Sequence, residues 1–73
     1  MSIKTEYQSG PRDVSCYAQA YADGTWGGRV CVTAHHGSHS DDQIHEMDAQ
    51  DPSEEAAVKR ARKWAEAKFP PIP

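Results

Sequence analysis

Six side chains with metal-binding or nucleophilic chemistry lie in the first part of this 73-residue chain: Cys16, Cys31, His35, His36, His39 and His45, with Asp41 and Asp42 beside them. Thiolates and imidazoles are the ligands that zinc gathers into a tetrahedron. Cys31, His35 and His39 recur at intervals of four, so they are the candidate ligands if a metal binds. That spacing is not a zinc-finger pattern, and the chain has no Cys-x-x-Cys knuckle. The expectation is no resident metal and no cofactor, with the histidines as solvated loop residues whose charge responds to mild acid. Cys31 with His35 or His36 also has the residue types of a thiolate and its base. The sequence offers no oxyanion donors and no third orienting group, and so short a chain leaves little room for a substrate cleft. A non-enzymatic role is expected.

The elements that would position these groups follow from periodicity. Ser2 to Gln8 alternates, with Ile3, Thr5 and Tyr7 on one side, as a half-buried strand does. Ser9 to Asp13 is turn chemistry. Val14 to Tyr21 alternates again, Asp23-Gly24 marks a hairpin, and Trp26 to Ala34 is the returning strand. Gly27 and Gly28 within it suggest a bulge or a close backbone approach.

The turn type sets which residues face inward. A two-residue turn would place Cys16 opposite Cys31. A three-residue loop, Ala22-Asp23-Gly24, puts Val14, Cys16, Ala18 and Ala20 on one face with Trp26, Val30 and Val32, and sends Cys31 to the other face. The second register is favoured, because it sets small residues against large ones and lets a helix lie close. On it no disulfide joins the cysteines. Residues 35–43 read as a polar connection, and Gln43 to Asp48 as a short fourth strand with Ile44 and Met47 at opposite parity.

Asp51 to Phe69 reads as a helix. Asp51 stands as N-cap, Pro52 at the first helical position and Glu54 three residues on. Ala57, Val58, Ala61, Trp64 and Ala65 form its apolar stripe, and Pro70 and Pro71 stop it. Residues 70–73 are expected to form an extended tail. The sum is a single α+β domain over residues 1–73, with a three- to four-stranded antiparallel meander over 2–50 and one C-terminal helix over 51–69 packed on one face.

Charge is unevenly spread around a net of −3. Asp41 to Glu55 holds seven acids and no Lys or Arg, whereas Lys59 to Lys68 holds five bases and one acid. Both blocks complement the helix dipole. An acidic chain disfavours generic nucleic-acid affinity, which depends on phosphate neutralisation. Lys59, Arg60, Arg62, Lys63 and Lys68 are the residues that would carry it. No stretch has the length of a membrane span and the start is not a signal peptide, so a cytoplasmic protein with reduced thiols is expected.

One helix covers one face of the sheet. The other face would display Tyr17, Gln19, Tyr21, Arg29 and Cys31, and tyrosine and arginine are common interface anchors. Asp41, Asp42 and Glu46 from the acidic run would steer a basic protein surface toward them. A protein partner or a second copy as homodimer is expected, since so few large apolar residues leave a thin core.

The hairpin Tyr21-Ala22-Asp23-Gly24-Thr25-Trp26 followed by the alanine-rich helix Glu54 to Lys68 resembles many small proteins of phages and mobile elements. Some anti-CRISPR proteins are similar in size and arrangement. The resemblance implies a stoichiometric inhibitor that binds a host defence complex in the host cytoplasm. The strand order is also similar to the sheet-plus-helix DNA-binding domains of phage integrases, which use a basic sheet face; here Lys4, Arg12 and Arg29 are the bases available.

Overall fold

The structure, a computed structural model, describes residues 3–72 apart from the side chain of His36. Ser2 and Pro73, which the strand and tail expectations included, lie outside the described residues. Four strands, β1 (Lys4–Ser9), β2 (Arg12–Ala20), β3 (Trp26–His36) and β4 (His39–Asp51), pair antiparallel in chain order, and α1 (Glu54–Lys68) packs on one face. This is the expected α+β meander with one helix, in its four-stranded form. Among the described residues no helix is long and apolar enough to cross a membrane.

The β2–β3 hairpin takes the three-residue loop. Tyr21 N donates to Thr25 O at 2.9 Å, and Gly24 N donates to Tyr21 O at 3.1 Å. Gly24 has φ 87°, the left-handed conformation that the loop requires. Asp23 Oδ1 accepts from Thr25 N and Thr25 Oγ1, which fixes the turn. Val14 therefore pairs with Val32 and Cys16 with Val30. All four are buried under the helix, each valine contributing about 1.5–3 kcal/mol of apolar burial. Burial pushes the Cys16 thiol pKa up. Cys31 pairs with Ser15 and faces the opposite side, so the two thiols stand on different faces.

The helix presents small residues to this core. Ala57, Ala61 and Ala65 recur one turn apart and are fully buried, with Val58 beside them. Gly28 lies directly beneath, where a Cβ would sit 2.6 Å from the Ala57 carbonyl oxygen. β4 bulges here: Gly27 pairs with Gln50 and Arg29 with Glu46, so Gly28 alone faces Met47, Asp48 and Ala49. Both readings of the glycine pair, bulge and close approach, are realised. Trp64 closes the far end against His45 at 5.1 Å and Phe69 at 6.4 Å between ring centroids. Trp26, expected beneath the helix, is half-buried at the other end, opposite Asp51.

Three expectations are corrected. The polar connection 35–43 is a strand hairpin instead: β3 runs on to His36, turns through Gly37-Ser38 with Gly37 at φ 61°, and β4 starts at His39. Its residues are polar because this end of the sheet outruns the helix. A 15-residue helix spans about 22 Å, whereas the molecule is 42 Å long. The fourth strand is accordingly thirteen residues long, not the short Gln43–Asp48 segment. The helix start moves as well. Asp51 ends β4, and Ser53 is the N-cap, its side chain accepting from Ala56 N at 3.2 Å. The third helical position is then Ala56, so no capping box forms.

Asp51 has a different role. It is 6% exposed, and Arg60 Nε and Nη2 donate to its two carboxylate oxygens at 2.9 and 3.0 Å. This bidentate pair ties the end of the sheet to the second turn of the helix. The Arg60 hydrogen bonds hold the Asp51 carboxyl below the usual carboxylate range, outweighing desolvation. The unfolded chain therefore binds more protons as acid is added. The pair's contribution is complete above the unfolded carboxylate pKa, about 3.9, and is lost as pH falls through the lower folded value. Arg60→Ala is expected to lower the urea midpoint more than Arg62→Ala, which breaks a part-exposed 2.6 Å pair with Glu66 and a stack over the Tyr7 ring but leaves no buried charge unpaired. Asp51→Asn should flatten the acid limb of stability against pH, measured by urea unfolding from pH 6 down to 2. An unchanged acid limb would refute this role.

The tail past the helix is extended but not free. Tyr7 Oη donates to Phe69 O at 2.7 Å and Ser9 Oγ to Pro70 O at 2.8 Å. Ile72 then bridges Ser9 in parallel, with Ile72 N donating to Gln8 O and Gly10 N to Ile72 O. The outer edge of β1 is strapped at this end by the chain's own last residues.

Candidate functional site

The face away from the helix is uncovered among the described residues, and its side chains fall into rungs that cross all four strands. Lys4, Tyr17, Arg29 and Glu46 make one rung, Glu6, Ser15, Cys31 and Ile44 the next, and Gln8, Asp13, Thr33 and Asp42 the third. Arg29 reaches Glu46 at 3.2 Å, Thr33 Oγ1 donates to Asp42 Oδ1 at 2.7 Å, and His35 Nε2 lies 2.8 Å from Asp13 Oδ2. The His35 hydrogen bond lowers the Asp13 pKa. Arg29 Nε, although buried, has no hydrogen-bond partner among the described residues. Between these polar pairs stands an apolar centre: half-buried Tyr17 and Cys31, and Ile44 at 59% exposed. Tyr21, at 37% exposed, brings the hydroxyl end of its ring over Gly27, which has no Cβ to hold it off.

Of the residues singled out in the sequence, Tyr17, Gln19, Tyr21, Arg29, Asp42 and Glu46 share this face. Asp41 does not: it pairs with Ala34 and lines a hollow with Arg12, Val32 and Phe69 on the helix side. Adjacent residues of a strand point oppositely, so Asp41 and Asp42 serve different surfaces. Ile44 was missing from the predicted surface. A two-residue Gly37-Ser38 turn, itself a hairpin signal, would have placed it opposite Cys31.

The candidate metal ligands are not brought together. Cys31 and His35 share the open face four residues apart along a strand, roughly 13 Å, and His39 pairs with His36 on the other parity. Among the described residues no three His, Cys, Asp or Glu side chains form a metal-sized group. The same separation keeps Cys31 from His35 as nucleophile and base, and the side chain of His36 lies outside the described residues.

The five bases of the helix divide, with Lys68 exposed in the last turn. Arg60 is committed to Asp51, and Arg62 to Glu66 while its guanidinium stacks 4.4 Å over the Tyr7 ring. Lys59 and Lys63 line a groove of about 440 Å³ between the helix and β1, floored by Ile3, Thr5 and Val58. Glu55 and Glu66 share that groove, so it carries both signs of charge and no continuous basic stripe. These features define a sheet-and-helix domain with one bare, mixed apolar and polar sheet face. Comparison with protein-family models, curated proteins and solved structures finds no match for the chain.

Proposed function

We propose that this chain is a non-enzymatic protein-binding module that docks a protein partner on its open sheet face. One observation carries the reading: Ile44 and Tyr21 are exposed on the face the helix leaves bare, beside Tyr17, Cys31 and Arg29. An aliphatic and aromatic centre ringed by cross-strand polar pairs has the make-up of an interface core and rim. Arg29 suits an anchor because its Nε is already desolvated and finds no acceptor among the described residues. A stoichiometric inhibitor of a host defence complex, acting in the cytoplasm by occupying its target, is the form of this reading that the phage-protein resemblance suggests.

The test is quantitative capture from a bacterial lysate by wild type, Ile44→Asp, Tyr17→Ala and Lys63→Glu, each checked for folding by circular dichroism. The expected result is a partner whose recovery falls at least about tenfold with Ile44→Asp and Tyr17→Ala, and not with Lys63→Glu on the helix. Equal recovery by all four proteins would overturn the reading.

A further inference from the structure

The two edges of the sheet are not alike. The outer edge of β1 is strapped by Ile72 over Gln8 to Gly10. β4, at the other end of the strand order, pairs only with β3 among the described residues. It is also the longest strand, at thirteen residues. A bare edge presents a row of outward N–H and C=O groups that template another strand, and proteins blunt such edges with proline, lysine, short strands or a covering segment. β4 has no proline and no lysine, and no strand among the described residues pairs with its outer edge; its two-residue bulge lies near one end, leaving His39 to Glu46 in unbroken register with β3. What it carries instead is acid: Asp41, Asp42, Glu46 and Asp48, with no Lys or Arg between Gly37 and Ser53, Asp51 being committed to Arg60.

We propose that the outer edge of β4 is a second docking site, which takes an extended basic protein segment as a fifth strand. The backbone supplies the pairing and the charge selects the occupant. A second copy would set acidic strand against acidic strand, which cross-strand repulsion opposes. An extended segment with alternating lysine or arginine sets all its cations on one side of the pleat, where Asp42 and Glu46 stand together on the open-face side of β4. The site goes beyond the open-face reading: it uses the main chain of β4 and stands whether or not Ile44 and Tyr17 bind anything.

The test uses three short synthetic peptides: alternating lysine and valine, alternating glutamate and valine, and the lysine peptide with proline in place of valine. Binding is followed by backbone amide shifts and amide exchange. The lysine–valine peptide is expected to saturate at a Kd at least about tenfold below the other two, to slow exchange of the outward β4 amides, and to weaken with added salt. Asp48→Lys alone, and Asp42→Lys with Asp48→Lys, should shift the preference toward the glutamate peptide. The proposal is overturned by equal binding of the proline peptide, which has the charge without the strand. Protection on β1 or on the Tyr17–Arg29 rung instead of β4, absence of saturable binding, or self-association through β4 would each overturn it too. Ile44→Asp probes the open face separately, so failure there leaves the β4 result intact.

Discussion

Gly28→Val is expected to abolish the cooperative unfolding transition of this domain, and Gly28→Ala to weaken it by about 2–3 kcal/mol. At roughly 0.05–0.15 kcal/mol per residue, a chain of this length has little to spare. The cause is steric and specific. A Cβ on Gly28 would stand 2.6 Å from a backbone carbonyl oxygen of the helix, and 3.1 Å from both Ala61 Cβ and Met47 Cγ. A carbonyl within a hydrogen-bonded helix has no rotamer through which to retreat, so the helix must lift as a body. Lifting it uncovers Val14, Cys16, Val30 and Val32 together. Gly27→Ala is the control. Its Cβ would also meet an atom at 2.5 Å, but that atom is Tyr21 Oη, the end of an exposed side chain that can swing aside. Its cost should stay below about 1 kcal/mol. Urea denaturation followed by far-ultraviolet circular dichroism measures all three. A Gly28→Ala protein as stable as wild type would mean that the helix does not lie this close.

Trp64→Ala is expected to cost about 2–4 kcal/mol, the lower part of the range for aromatic truncation because the side chain is only half-buried. Trp64 joins three parts of the molecule. It stands on the last turns of the helix, packs on His45 of β4, and meets Phe69 edge-on where the chain leaves the helix. Phe69 in turn lies against His45 and under the Arg12 guanidinium at 5.7 Å. Without the indole the helix keeps its alanine stripe on β2 and β3 and the contact of Met47 with the core, but loses its ring contact with His45 of β4. Trp64→Phe should recover most of the loss. A Trp64→Ala loss under about 1 kcal/mol would show that the alanine stripe alone fixes the helix.

Much of this was legible because side-chain period and turn chemistry agree in the middle of the chain. The alternation of Val14 to Tyr21 and of Val30 to Val32, with a glycine three residues after Tyr21, admits one register that gathers the valines. The structure has that register. Legibility failed where a polar sequence is nonetheless regular. From His35 to Gln43 no face is buried deeply enough to require apolar residues, so strand and loop leave the same hydropathy record. Only Gly37-Ser38 betrays the turn. The helix start was misread for a related reason. Asp51 and Ser53 are both good caps, and the choice between them rests on whether a carboxylate is needed elsewhere. Arg60, nine residues further on, needs it, and that demand is tertiary. For the open face the sequence named the tyrosines and Arg29 through parity. Ile44 and the rungs joining them require the β3–β4 register.

The order of the strands also bears on how the molecule comes together. Every strand pairs with its neighbour in sequence, so the sheet can zip by three short closures of small entropic cost, hairpin events on the order of microseconds. The helix closes over a longer span, Ala57 lying 29 residues beyond Gly28, and the strap that ties Tyr7 and Ser9 to the chain beyond Lys68 closes over 62 and 61 residues. Until that docking the ribbon has two sides of unequal greasiness and no cover on either. The helix makes the valine side the interior, and Gly28 is the notch that lets it come down on Val14, Val30 and Val32.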